Sequence, residues 1–144
     1  MSTNTQFALG VHLLTLLATL APESLSSEAM AESAMANPVQ IRRALGRFRQ
    51  AGLIASKPGV GGGSHLLKDP ATITLGEVWR VVQGENHVLG SYPGDPDCAV
   101  GRNIQSWVID VDRRARQAIE DELERTTIAQ LVARAHEPRL DGIE

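Results

Sequence analysis

Three groups of side chains in this 144-residue sequence have types and spacing suited to chemistry. The first is cationic: Arg42, Arg43, Arg47, Arg49, Lys57 and Lys68 lie between Asn37 and Lys68, together with Gln40 and His65, in a stretch without a single Asp or Glu. Arginine forks onto guanine, glutamine pairs with adenine, and lysine meets phosphate as a point charge. The second group is one thiol, Cys98. Placed just before a helical stretch, it suits oxidation chemistry, because a helix N-terminus favours the thiolate. Asp95 and Asp97 oppose that ionisation, and inert packing is the alternative use of the sulfur. The third is His12, in an apolar helix, where a hydrogen bond is a commoner role than metal ligation.

Enzyme chemistry finds no foothold. The sequence has no HExxH pair for zinc, no serine at a nucleophile elbow and no cysteine pair, and its acids crowd a helix surface where water solvates them. No catalytic residue, metal or cofactor is therefore expected. A nucleotide-phosphate loop is also excluded, because the glycines after Lys57 lead into a strand and not into a helix opened by Lys and Ser or Thr.

Charge is unevenly distributed. Residues 1–70 sum to +2 and residues 71–144 to -5, giving the formal -3. A basic head on an acidic body would orient the molecule near a polyanion. Five aromatic rings are too few for base-stacking on single strands. No apolar run reaches the roughly 18 residues needed to span a bilayer, and the best candidate, 7–21, has no basic leader. One cysteine agrees with a reducing compartment. The expected location is cytoplasmic, without membrane association.

The elements that must position these groups follow in order. Asn4 or Thr5 opens a helix to Leu20, apolar on most faces and hence expected to be buried, and Pro22 ends it. Ser26 caps a short second helix with Glu28 in its first turn, and Met35-Ala36 can only turn. Asn37 caps a third helix with Pro38 at its first position; Ile41, Leu45 and Phe48 form its buried stripe, and Gly52 stops it. Strands at 53–57 and 64–67 flank a glycine-rich tip. Thr74 caps a helix over 75–83 that turns Leu75, Val78, Trp79 and Val82 inward, and Gly84 closes it. A Gly, Pro and Asp-rich loop then runs to Gly101. A long helix over 102–125 carries Ile104, Val108, Val111, Ala115 and Ala118 at alternating spacings of four and three, a seam for a partner helix. Thr126 or Thr127 caps a final short helix, after which the chain is expected to fray.

The pieces AESAMANPVQIRRALGRFRQAGLI, KPGVGGGSHLL, KDPATITLGEVWRVVQG, CAVGRNIQ and TTIAQL, in this order, resemble the IscR/NsrR/CymR-type family of small dimeric winged-helix repressors, and within it the YwnA-like branch. The resemblance covers nearly the whole chain. It implies a DNA-binding head and a long C-terminal helix crossing to a second subunit. It sets Gln40, Arg42 and Arg43 where a recognition helix meets DNA, and Lys57, Gly61, Gly62 and His65 on the wing. Many members carry three cysteines before the dimerisation helix; this chain has one, which excludes a three-cysteine iron–sulfur cluster by count and leaves only unusual His or carboxylate ligation. Ser64 also stands where the family has an aromatic residue.

The expected fold is mainly α with a small β-hairpin: a winged helix-turn-helix domain over 1–84, a loop over 85–101 containing the single Cys, and a dimerisation helix with a short C-terminal helix over 102–144. The expected function is sequence-specific binding of double-stranded DNA by a homodimeric transcriptional regulator, a repressor. Its expected DNA-binding residues are Ser27, Asn37, Pro38, Gln40, Arg42, Arg43, Arg47, Lys57, Gly61, Gly62 and His65. The candidate sensor is Cys98, and the dimer interface is Ile104, Val108, Val111, Ala115 and Ile119. Alternatives are a protein-interaction adaptor on the same scaffold, or a regulator responding to thiol oxidation or to a small molecule held between head and long helix. The sequence names no effector.

Overall fold

The computed structural model describes residues 2–137, so the expected fraying after the last helix lies outside the described residues. The order is α1 (Thr3–Leu20), α2 (Ser27–Ala34), α3 (Pro38–Gln50), β1 (Ile54–Lys57), β2 (Gly63–Leu66), a 3₁₀ turn (Pro70–Thr72), α4 (Leu75–Gln83), α5 (Ala99–Leu123) and α6 (Ile128–Arg134). Most caps stand where the sequence places them: Ser26 accepts from the Ala29 amide, Asn37 from Val39 and Thr74 from Glu77. Thr127 and Gln130 form a reciprocal capping box.

Two helix starts differ from expectation. Helix α1 begins earlier than Asn4, because the Ser2 hydroxyl accepts from the Thr5 amide at 3.2 Å. Helix α5 begins at Ala99 instead of Arg102, because Cys98 itself caps it: its sulfur accepts from the Gly101 amide at 3.4 Å. Cysteine is not among the common N-capping residues, so Ala-Val-Gly read as loop.

The head's core is closed by Leu13, Leu14, Leu17, Met30, Ile41, Leu45, Phe48, Leu53, Ile54, Ile73 and Val78, all buried. Helix α1 buries one stripe and not its whole circumference; His12 and Leu20 remain exposed. Gly10 lets α1 approach α3, since a Cβ there would lie 2.7 Å from the Phe48 ring. Helix α6 folds back onto the head: Ile128 is fully buried in the same core, and its amide donates to the Ile73 carbonyl at 2.9 Å. Packing thus divides the described part of the 102–144 segment between α5 and the head.

Between α2 and α3 the bend is made by Met35, in the left-handed region at φ 48. The hairpin pairs Ile54 with Leu66, Ala55 with His65, Ser56 with Ser64 and Lys57 with Gly63. A two-way bridge between Leu25 and Ser64, at 3.0 and 2.8 Å, fastens this wing to the entry of α2. Gly63 is required at that crossing: an added Cβ would sit 2.5 Å from the Leu25 carbonyl.

Candidate nucleic-acid interface

Helix α3 is held by Ile41, Leu45 and Phe48, so its free surface follows from the helical repeat. At about 100° per residue, Arg43 stands roughly opposite that stripe and is exposed. Gln40 and Arg47 fall on one flank, where with Arg43 they line a small cleft against Gln6 and Leu9 of α1 and Val82 of α4. Gln40 is only half-exposed there, and Arg47 donates to the Gln6 side chain. Arg42 falls on the other flank.

That second flank is more elaborate than the sequence suggests. Arg49 donates to the Ser56 hydroxyl at 2.8 Å, and Ser56 lies 3.1 Å from the buried Ser64 hydroxyl. With Arg42, Ser27 and Gly63 these residues line a hollow of about 240 Å³ between α3, the wing base and the start of α2. Two arginines, hydroxyls and a helix N-terminus facing one hollow suit a phosphate. The Ser27 hydroxyl itself donates to Glu28 at 3.4 Å. Ser56 is absent from the sequence reading, and Arg49, counted there among the cations, is absent from the expected DNA-binding residues, although it lies seven residues after Arg42 and so two turns along the same flank. Val39 on α3 and Val60 at the wing tip are exposed apolar groups that it also passed over.

On the wing, Lys57 is exposed at the end of β1. Gly61 has φ +76, and a Cβ on Gly62 would lie 2.2 Å from the Lys57 carbonyl, so these two glycines shape the tip. His65 is partly buried, and its Nδ1 is buried without a hydrogen-bond partner, so that nitrogen faces the protein. Asn37 is occupied as a cap, with the exposed Pro38 beside it. None of Arg42, Arg43, Arg47, Arg49 and Lys57 meets a carboxylate among the described residues, whereas Lys68 does, at 2.9 Å from Glu77.

The other singled-out residues lie elsewhere. His12 Nε2 is 3.2 Å from the Ser33 hydroxyl. Cys98 is exposed and free. Ile104, Val108 and Val111 are exposed on α5, and Ala115 and Ile119 are partly covered. The same apolar stripe includes Val100 and Trp107, the latter 75% exposed, which the seam spacing left out.

The fold and the unneutralised basic face define a winged-helix DNA-binding transcription regulator. The chain belongs to the Rrf2 family, described as iron-dependent transcriptional regulators, which residues 3–134 match. It is 36% identical over 121 residues to YwnA of Bacillus subtilis, described as an HTH-type transcriptional regulator, covering 83% of this chain and 89% of that one. A solved structure described as a DNA-binding protein is 32% identical with a TM-score of 0.70, over 88% of this chain and 97% of that one. The oxidised form of CymR from Staphylococcus aureus is 26% identical with a TM-score of 0.66, over 97% and 100%. These relatives are regulators and not enzymes.

Among the described residues, the iron in the family's description meets no matching donor set. Among the described residues no three His, Cys, Asp or Glu side chains are grouped to hold a metal ion, and the sulfur of Cys98 is engaged in capping α5. No helix among the described residues is long and apolar enough to cross a membrane.

Proposed function

We propose that this protein is a cytoplasmic, homodimeric, sequence-specific repressor that works without an iron cofactor. The observation that carries the DNA reading is the set of five cations on α3 and the wing that no carboxylate among the described residues neutralises. Arg43 reads base edges, with Gln40 beside it; Arg42, Arg47, Ser27 and Lys57 hold phosphates, and His65, Gly61 and Gly62 shape and support the wing. Asn37 and Pro38 set the start of the recognition helix. Two copies pair through the exposed stripe of α5, Ile104, Val108 and Val111 continued by Ala115 and Ile119, placing two α3 helices in successive major grooves about one turn apart.

A gel-shift titration tests the reading: tight binding to a roughly palindromic operator and weak binding to its scrambled version are expected, and equal binding to both sinks it. A colourless, iron-free protein after anaerobic purification is expected from the cofactor reading; a visible absorbance band with bound iron overturns it. Cys98, exposed at the start of α5, is the candidate thiol input. Operator affinity that peroxide changes in the wild type but not in Cys98→Ser supports a sensor, and an unchanged wild type leaves the cysteine a structural cap.

A further inference from the structure

The loop between α4 and α5 is strapped to α5 at two ends. At one, Asp112 accepts from the Leu89 amide at 2.7 Å and lies 3.2 Å from His87 Nδ1, while Arg116 donates to the Gly84 carbonyl. At the other, Gln105 donates to the carbonyls of Tyr92 and Pro93 at 3.2 and 3.1 Å, and Arg102 to that of Pro96 at 2.6 Å. These four anchors recur at helical spacing on one face of α5. Between the straps the loop bridges over Val108 and Ile109 and leaves a half-open cavity of about 160 Å³.

The lining sets the chemistry of an occupant. Val108, Ile109, Pro93 and the Tyr92 ring offer apolar walls; among the described residues Asp112 is the one lining carboxylate, His87 lies beside it, and no Lys or Arg takes part. Anions, nucleotides included, are therefore disfavoured. Asp112 is buried and receives the Leu89 amide, the His87 ring and the Val88 amide; a carboxylate offers about four acceptor sites, which leaves one for a further donor. An apolar cavity of ~150 Å³ holds a benzene ring. We propose that this cavity binds a compact aromatic amine, its ring between Tyr92 and Ile109 and its nitrogen on Asp112. Because Val108 also belongs to the exposed stripe of α5, occupancy bears on how two copies pair; that consequence, but not the binding, rests on the regulator reading above.

The probe is benzylamine, titrated into the full chain and followed by the methyl resonances of Val108 and Ile109. Saturable shifts are expected, with benzyl alcohol binding about tenfold more weakly for want of the charge, and benzoate giving none. Ile109→Trp, at an exposed position, fills the cavity and abolishes the Val108 shifts while Tm is kept; Asp112→Asn removes the preference for amine over alcohol. The proposal is overturned if benzylamine gives no saturating shift, if benzoate binds as well, or if the Val108 shifts survive Ile109→Trp. This readout needs no DNA, so a failure of operator binding and a failure of the cavity are told apart.

Discussion

The basic head and the long helix contain arginines in comparable number but use them in opposite ways. Along α5 and its junction with α4 all but Arg102, which holds the Pro96 carbonyl, are neutralised in place: Arg114 lies 3.4 Å from Asp110, which also binds Arg113; Arg116 lies 3.5 Å from Glu120, Arg125 3.3 Å from Glu122, and Arg80 2.7 Å from Glu124. On α3 and the wing, Arg47 and Arg49 bond to neutral side-chain partners, Gln6 and Ser56, and among the described residues no carboxylate balances their charge. A paired charge has little field beyond the Debye length of about 10 Å, whereas unpaired charges on one face add up. What attracts a polyanion is therefore set by pairing and not by counting, which is how a chain of net charge -3 presents a cationic face.

The largest test removes the head's most outward arginine. Arg43→Ala should cost about 1–3 kcal/mol of operator binding, roughly five- to 150-fold, and should flatten preference at one base position. Gel shifts with base-substituted duplexes measure this, and an equal loss on every sequence would return Arg43 to the phosphate-binding set. Lys57→Ala should act more mildly. It is expected to weaken all duplexes alike and to lower the slope of log affinity against log salt by about 1. A sequence-dependent loss would move Lys57 into the minor groove as a reader.

Much of this contrast was legible before any coordinates. Caps at Ser26, Asn37 and Thr74, and the stripe of Ile41, Leu45 and Phe48, are local signals, and local signals survive folding unchanged. The acid-free run also showed which cations could stay unpaired within their own segment. What stayed hidden is long-range or unusual in chemistry. Arg49 meets Ser56 only because the hairpin brings the wing base back against α3, and Ile128 joins the head core only after α5 has turned the chain around. The sequence leaves Cys98 between a reactive thiol and a packed one, and its role as the cap of α5 is missed because a sulfur cap has no sequence signature. The loop anchors were invisible for another reason: Asp112 and Arg116 looked like members of a solvated charged face, yet they bind backbone groups of a loop more than twenty residues away in sequence.

Asp112 sharpens the comparison because it is a carboxylate of the acidic body that does not serve an arginine. Its pKa is lowered from the ordinary 3.8, mainly by the Leu89 amide and further by His87, against the opposing effect of burial. A carboxyl whose folded pKa is depressed holds its contacts above the unfolded value and loses them as pH falls through the folded one. The loop should therefore stay strapped at neutral pH and loosen only in acid. Followed by NMR, the Leu89 amide proton is expected to shift with a midpoint below 3.8. A midpoint above that value would mean that burial outweighs the hydrogen bonds.

The smallest expected effect is the most discriminating. Arg114→Ala and Lys57→Ala each remove one positive charge from a chain of formal charge -3, so an account based on net charge predicts equal damage to DNA binding. Pairing predicts otherwise. Arg114 is largely exposed and shares Asp110 with Arg113, so its loss leaves that carboxylate partnered and the field over α3 unaltered. Exposed pairs of this kind are worth about 0–1 kcal/mol. Arg114→Ala should leave both operator affinity and salt slope at wild-type values, with stability moved by no more than about 0.5 kcal/mol. A salt slope lowered as far as in Lys57→Ala would show that α5 contributes to the attraction of DNA, and the division of labour between the two arginine sets would fail.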